Sequence, residues 1–387
     1  MKILVVSSVQ TRPITSGSGK FINEYCTLLK TMGHDVYFML VCSYAIGKEW
    51  KKKQEEGIHG CQEQWGNHFF CYRTGLYRRM SVKILEIYRK WINGYYSHCD
   101  DKYPQGIQHY VNNLNLKYSF DACIINYFWL SKVFDSIKIP RKAIITHDSF
   151  TYNNLRNNVR SILNLTPNEE AKALQRCPYI YAMQDDEAIF FRRIAPRSNV
   201  LISFCPYKYE TQPIMLNHTI VFLSSGFYLN VNGLTWFLEE VYPLLLKEFP
   251  DFKLIVGGSI CNEIKDHRKY KNLVLQGYID NPATFYAQGD VAINPTYQGT
   301  GLKIKTFEAI SYGKATIVHP HSIGGIYKKE EAPLFVSDNP KAWVGFFHSI
   351  WDDKAILPAI KEKCCGYIEE MNRYIEQQFS VFLNEKE

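Results

Sequence analysis

The residues best suited to chemistry lie in one short stretch, residues 294–313 (NPTYQGTGLKIKTFEAISYG). Gly299 and Gly301 let a ligand approach the backbone closely. Lys303 and Lys305 bring positive charge to the same place. A helix that opens here and stops at Gly313 aims its first amides at the loop, which makes an anion site. Glu308, in the first turns of that helix, is placed to accept hydrogen bonds from ribose hydroxyls. Phosphate plus sugar means a nucleotide. A plain helix with a glycine-rich entry and surface lysines has the same composition. Position decides for a ligand, because the loop follows an apolar strand and open α/β sheets bind ligands at the carboxyl ends of their strands.

Three further clusters carry polar chemistry. Residues 15–20 (TSGSGK) form a glycine loop with Gly17 and Gly19. It is not a P-loop, because Lys20 is followed by Phe21 and position 14 is Ile. It reads either as a phosphate cradle or as a flexible strand–helix turn. His147 and Asp148, in Thr146-His147-Asp148-Ser149, follow a strand; the imidazole can donate to a sugar hydroxyl or phosphate, or be a structural histidine. Asp185-Asp186-Glu187 can hold an acceptor hydroxyl or cap a helix with Asp at the N-cap. There is no Asp-x-Asp to clamp a metal diphosphate and no C-x-x-C, so no metal site is expected.

The elements that must position these groups repeat a plan. A strand (residues 2–7), a Gly/Ser loop, an apolar-periodic helix (21–32), the stop Gly33 and a second strand (36–41) open the chain. Residues 219–225, a loop at 226–230, a helix over 231–249 stopped by Pro250, and a strand at 252–256 repeat it. Further strands are expected at 122–126, 143–147, 179–183, 273–276, 290–294 and 315–318. Thr166-Pro167 reads as an N-cap followed by proline at the first helical position. Continuous apolar runs between helices mean strands buried on both faces, hence parallel sheets and an α/β fold. The expected division is 1–205, a linker at 206–218, 219–365, and a C-terminal helix at 366–387 within a helical tail that starts near Lys361.

Bulk composition narrows the class. The chain has 387 residues, 46% of them hydrophobic and 21% charged, with net charge +7. Such an apolar fraction excludes a disordered chain. No apolar run is long enough for a membrane span, and the amino terminus lacks a signal-peptide pattern, so a cytoplasmic protein is expected. Eleven scattered cysteines fit reduced, structural thiols. No nucleic-acid motif accompanies the positive charge. Residues 50–116 stand apart as a polar, aromatic, basic stretch, expected as a helical insertion. Arg78, Arg79, Lys83, Arg89 and Lys90 interleave there with Leu76, Met80, Ile84, Ile87, Tyr88, Trp91 and Ile92. This reads as an amphipathic helix on an anionic membrane surface, or as an ordinary helix with a solvated basic face.

On these residues the chain resembles the GT-B glycosyltransferases, in particular the retaining family 4 group (glycosyl transferases group 1). The resemblance is carried by SSGFYLNVNGLTWFLEEVYPLLLKEFPDFKLIVGG and VLQGYIDNPATFYAQGDVAINPTYQGTGLKIKTFEAISYGKATIV, and more loosely by the first glycine loop, the Thr-His-Asp segment and NLTPNEEAKALQRCPYIYAMQDDEAIFF. It implies two Rossmann-like lobes, doubly wound around parallel sheets and facing across a cleft that holds a nucleotide-sugar. It implies ribose on Glu308, diphosphate at Lys303 and Lys305 with amides near Gly301, further donor contacts from Gly226, Thr300 and Leu302, phosphates approached by Gly17 and Gly19, the base beside Tyr278, and the donor sugar against His147. His147 is then a positioning group in the catalytic centre, and Asp148 and Asp185 face the acceptor.

Two departures matter. The family's first glutamate, eight positions before Glu308, is Thr300 here. The loop at 226–232 also carries no base. The resemblance implies transfer from a nucleotide-sugar, a UDP- or GDP-sugar as substrate and not as cofactor. The acceptor is a saccharide or lipid-linked saccharide, and transfer runs with retention and without metal, in bacterial surface-glycan synthesis at the inner membrane face. An inactive GT-B-like nucleotide-binding or scaffold protein and a UDP-sugar 2-epimerase are the alternatives.

Overall fold

The computed structural model describes the chain except residues 93–95, 158–160, 162, 266, 300–303, 354 and 385–387. The chain divides into two units: Met1–Pro206 with Tyr374–Glu387, and Tyr207–Arg373.

In the first unit the strands are β1 (Lys2–Ser7), β2 (Asp35–Cys42), β3 (Phe69–Arg73), β4 (Ala122–Asn126), β5 (Arg141–Ile145), β6 (Tyr179–Ala182) and β7 (Asn199–Ile202). They form one sheet in the order β3-β2-β1-β4-β5-β6-β7, with every pair parallel. Ile3, Leu4, Val5 and Val6 are fully buried, as strands covered on both faces require. The helix Gly17–Thr31 starts at Ser16, whose side chain accepts from the Gly19 amide at 3.1 Å, and ends at Gly33 with φ +86°. Thr166 caps the helix Pro167–Leu174 in the same way, with proline in its first turn.

Residues 50–116 are not an insertion beside this sheet. They supply its edge strand β3, in register with β2 from Phe38↔Phe69 to Cys42↔Arg73, between the helices Lys48–Trp65 and Leu76–Ile92. β3 itself is short and largely apolar (FFCYR), half-exposed at the sheet edge, and is disguised by the polar, basic residues that flank it.

In the second unit the strands are β8 (Thr219–Leu223), β9 (Lys253–Gly257), β10 (Leu273–Gly277), β11 (Val291–Asn294), β12 (Ala315–Val318) and β13 (Leu334–Val336), in the parallel order β10-β9-β8-β11-β12-β13. Both sheets therefore contain the 3-2-1-4-5-6 arrangement of a doubly wound nucleotide-binding fold. The helix expected over 231–249 begins earlier, at Tyr228, and passes through a π-helical turn at Phe237–Val241 before Tyr242–Glu248. Pro243 explains the widened turn, since it has no N–H to continue the ladder.

Residues 207–218 are packed on the second unit and do not form a free linker. The Tyr207 hydroxyl donates to the Ile304 carbonyl at 3.1 Å, and the Met215 and Leu216 amides donate to the Asp290 carboxylate at 3.0 and 2.6 Å. The C-terminal helix starts at Ile356, earlier than either 361 or 366, and runs unbroken to Asn384. Its last turns belong to the first unit, where Phe379 stacks on Tyr25 and Tyr181.

The core of the second unit is built around Trp343, fully buried and edge-on to Trp236, with its indole N–H donating to the Ser337 carbonyl at 2.8 Å. Trp343→Ala is expected to cost about 3–5 kcal/mol, through the lost transfer energy and the cavity left behind. Denaturant unfolding would read this as a lower midpoint with an unchanged slope.

Candidate functional site

Each sheet has one point where its crossovers part to opposite faces, between β1 and β4 in the first unit and between β8 and β11 in the second. Ligands of this fold class bind beyond the carboxyl ends of the strands at such points. The polar groups of each unit collect there.

In the second unit Lys305 is the centre of the cluster. Its ammonium donates to Asn230 Oδ1 at 2.5 Å and to Thr296 Oγ1 at 3.2 Å, and lies 5.6 Å from the Phe222 ring centroid. Asn230 is held in turn by donating to the Ser225 carbonyl and hydroxyl, both at 3.1 Å. The loop after β8 carries no base, and Asn230 instead uses it to fix a cation that comes from the other side of the switch point. Gly233 makes this approach feasible, because a Cβ there would lie 2.8 Å from Thr296 Cα. The glycine loop itself is tied down. His321 Nε2 lies 2.6 Å from the Gly299 carbonyl, and Ser322 Oγ donates to the Thr296 carbonyl at 2.6 Å. Gly299 has φ +97°, and a Cβ on it would meet Leu229 at 2.5 Å.

Glu308 is only 8% exposed, in the helix Ile304–Ser311. Tyr286 is hydrogen-bonded to it. Burial first, then the Glu308 charge, holds the Tyr286 hydroxyl protonated, so the tyrosine donates and the carboxylate accepts. Gly226 donates its amide to Ser259 Oγ at 2.9 Å. Tyr278 follows Gly277 (φ +69°) and is 79% exposed. Thr300, Gly301, Leu302 and Lys303 lie outside the described residues. Asn230, Thr296, Tyr286, Ser322 and His321 were missed by sequence reasoning, because their roles come from contacts across loops and not from spacing.

In the first unit His147 sits at the end of β5 with φ +65°, a backbone state that a side chain rarely takes. Its ring stacks on Tyr127 at 4.2 Å between centroids and meets the edge of Phe21 at 5.5 Å. Tyr127, also at positive φ, stacks in turn on Trp129 at 4.3 Å. Buried Asn126 fixes the imidazole. Its Nδ2 donates to the Val6 carbonyl at 3.1 Å and to the Tyr25 hydroxyl at 2.9 Å, which leaves Oδ1 to accept from His147 Nε2 at 2.8 Å. The proton is thus on Nε2, and Nδ1 is the remaining lone pair. Burial pushes the His147 pKa down to about 3, so the ring is neutral at physiological pH.

Gly19 is required where it stands, since a Cβ would lie 2.7 Å from the Gln10 carbonyl. Gly17 is exposed at the first position of the same helix. Asp148 accepts from the Ser149 amide at 2.8 Å and lies 3.7 Å from Arg156. Its charge adds to the burial that raises the pKa of Glu187. The N-cap of the helix Asp185–Ile194 is Gln184 and not Asp185. Asp185 is exposed in the first turn, where its charge complements the helix dipole. Among the described residues no three His, Cys, Asp or Glu side chains converge as a metal site.

The helix Leu76–Ile92 is turned opposite to the usual amphipathic arrangement. Arg78 points inward, donating to the Tyr103 and Asp101 carbonyls at 3.0 and 2.8 Å, and Arg89 pairs with the Asp101 carboxylate at 2.9 Å. Tyr77, Met80, Ile84, Ile87, Tyr88 and Trp91, spaced by threes and fours along one face, are exposed, Trp91 by 79%. Among the described residues no helix is long and apolar enough to cross a membrane.

Residues 217–353 match the family described as glycosyl transferases group 1. An uncharacterized 44.6 kDa protein in the cps region of Klebsiella pneumoniae is 24% identical over 341 residues, 80% of each chain. Solved structures share the fold over the whole chain, two of them as follows. A mutant of S. aureus TarM in complex with fondaparinux, alpha-GlcNAc-glycerol and UDP has a TM-score of 0.65 at 11% identity, covering 100% of both chains. The pneumococcal O-GlcNAc transferase GtfA in complex with UDP and GlcNAc has a TM-score of 0.66 at 11% identity, covering 100% of this chain and 99% of that one. The fold is thereby the GT-B fold of these glycosyltransferases, and the match to glycosyl transferases group 1 lies in the second unit.

The His147 geometry has a measurable consequence. The native ring does not titrate above about pH 3, whereas an unfolded histidine takes a proton near 6.5. The unfolded state therefore binds more protons between those values, and stability rises with pH through that window. In NMR the His147 ring signals should stay constant from pH 8 to pH 5. His147→Asn should flatten the fall in melting temperature on acidification from pH 7 to pH 5.

Proposed function

We propose that the protein transfers a sugar from a nucleotide-sugar, a UDP- or GDP-sugar, to a saccharide or lipid-linked saccharide acceptor in bacterial surface-glycan synthesis. The observation that carries this reading is the pairing of a fixed cation, Lys305 on Asn230 and Thr296, with buried Glu308 three residues further along the same helix. A diphosphate needs the first and a ribose the second. Breaking the bond from sugar to diphosphate leaves negative charge on phosphate. Groups fixed in advance stabilise that charge without reorganising. Lys305 is such a group, and Lys303 and the amides near Gly301 are assigned to the same diphosphate, with Gly226, Thr300 and Leu302 assigned to the donor and Tyr278 to the base.

Gly17 and Gly19 are assigned to the phosphates, His147 to the donor sugar, and Asp148 and Asp185 to the acceptor. His147 is a positioning group, since its Nε2 proton is committed to Asn126. No side-chain nucleophile is required when the acceptor attacks the face that the leaving group departs from, which gives retention. On this reading the positive side chains and amides assigned to the diphosphate neutralise it, and transfer runs without a metal. TarM and GtfA were both solved with UDP, which supports a UDP-sugar, and the relative in a cps region supports a surface glycan.

The exposed apolar stripe of the helix Leu76–Ile92 is assigned to an anionic bilayer at the inner membrane face. Aromatic residues suit the interface, and exposed Lys83 and Lys90 lie along one edge of the stripe to meet acidic headgroups. Arg78 and Arg89 play no part in this contact, being engaged with the protein.

Lys305→Ala is expected to lower kcat/KM about a hundredfold, as loss of one preorganised transition-state group does, and Glu308→Ala to raise the donor KM with less effect on kcat, as loss of a binding group does. A thermal-shift screen of UDP-, GDP-, ADP- and CMP-sugars should give a rise with one base only, lost in both variants. Unchanged donor binding and turnover in both would sink the assignment. Co-sedimentation should show the protein on phosphatidylglycerol vesicles and far less on phosphatidylcholine. Ile84→Glu with Trp91→Glu should release it. Binding that survives this double substitution would remove the membrane from the reading.

A further inference from the structure

The first unit contains a cavity of about 190 Å³ at the carboxyl edge of its sheet, whose walls include Ser43, Thr74, Arg78, Arg79, Lys102 and Trp129. We infer that this cavity binds the acceptor and that the acceptor is a saccharide bearing an anionic group, a phosphate or a carboxylate. The inference rests on the transferase reading and names its second substrate.

Three cations face one small space. Arg78 is held by carbonyl groups, with donation to Tyr103 and Asp101, and not by a carboxylate. Arg79 has no carboxylate partner among the described residues. Lys102 has Glu86 only at 3.8 Å. Burial lowers the Lys102 pKa, Glu86 opposes that shift, and the neighbouring Arg79 charge lowers it further. Like charges gathered in a partly desolvated site repel one another, and a bound anion relieves that cost. Arginine forks and a lysine suit phosphate or carboxylate oxygens.

The fourth wall selects a sugar over a bare ion. Trp129 is half-buried and is anchored by its indole N–H, which donates to Ser8 Oγ at 3.2 Å across the β1/β4 switch point. Its ring is the outermost of three in a stack, Trp129 on Tyr127 at 4.3 Å and Tyr127 on His147 at 4.2 Å. An apolar ring face beside the hydroxyls of Ser43 and Thr74 suits a pyranose, with C–H groups on one side and hydroxyls on the other. The cavity is below the about 300–1,000 Å³ of pockets for drug-sized ligands, which fits a single sugar residue with its charged group. The same column of rings leads from the cavity to His147, the group assigned to the donor sugar. By sequence alone Arg78 and Arg79 belong to the basic face of a helix, against a membrane or in solvent. The fold turns both into this cavity.

The test measures binding of glucose, glucose 6-phosphate, glucuronate and inorganic phosphate by titration calorimetry, in the intact protein and in Arg79→Gln with Lys102→Gln. Arg78 is left in place because it holds residues 101–103. UDP binding is measured alongside. At least one of the two anionic sugars should bind ten or more times tighter than glucose, and the double variant should erase that preference while UDP binding is unchanged. Trp129→Leu should weaken the anionic sugars about tenfold and leave inorganic phosphate unaffected. Equal binding of anionic and neutral sugars, or a preference that survives the double variant, overturns the inference. Inorganic phosphate binding as tightly as the sugar phosphate, with no effect of Trp129→Leu, reduces the site to an ion site and also overturns it. Absence of UDP binding in the intact protein is a separate result, which defeats the donor reading and leaves the sugar titrations to decide the cavity.

Discussion

Parallel strands end on one edge of their sheet, and the crossovers leaving a central pair part to opposite faces. That constraint governs both halves of this protein. At the parting no helix or strand fills the edge, so backbone and side-chain polar groups there have no regular partners. The second unit satisfies them with Lys305, Asn230, Thr296 and Ser225. The first does so with Asn126, Tyr25 and His147. Each set joins residues from both sides of the parting, and each leaves a charged or hydrogen-bonding group toward the open edge. The candidate site is what remains after the folding problem at that edge is solved.

The two sets differ in chemistry, which separates their roles. The second unit concentrates a cation and a carboxylate on one helix, the pair proposed above for a nucleoside diphosphate. The first keeps its histidine neutral by burial and locks its tautomer by one amide. Such a ring can position a hydroxyl group, but it cannot supply a fixed charge. The backbone strain at Tyr127 and His147, both at positive φ, is held by the stack of three rings and by Asn126. Strain of this kind persists where the surroundings over-determine it, and such places cluster at functional sites.

Much of the framework was readable from residue order. Apolar runs gave β1, β4 and β12 to the residue or nearly so, because strands buried on both faces leave a continuous signal. Gly33 and Thr166-Pro167 marked helix ends because only certain residues satisfy those positions. β3 was lost, since its five residues, FFCYR, are a short apolar run inside a long polar, basic stretch. The early start of the last helix was lost for a similar reason, as its first turn carries Pro358. Lys305 and Glu308 were visible as chemistry, while Asn230 and Tyr286 were not, because a partner lying tens of residues away leaves no local pattern.

The helix Leu76–Ile92 separates what each level decides. Sequence by itself determined that the helix is amphipathic, basic and aromatic, since periodicity depends only on residue order. It also determined two doubly wound halves and the placing of Lys305 and Glu308 one turn apart after a glycine-rich segment. Which face of the helix meets the protein was decided only by tertiary structure. Arg78 and Arg89 find carbonyl and carboxylate partners in residues 101–103, so their face turns inward and the apolar stripe turns out. The free energy of that choice lies in contacts between segments distant along the chain, and no pattern within the helix contains it.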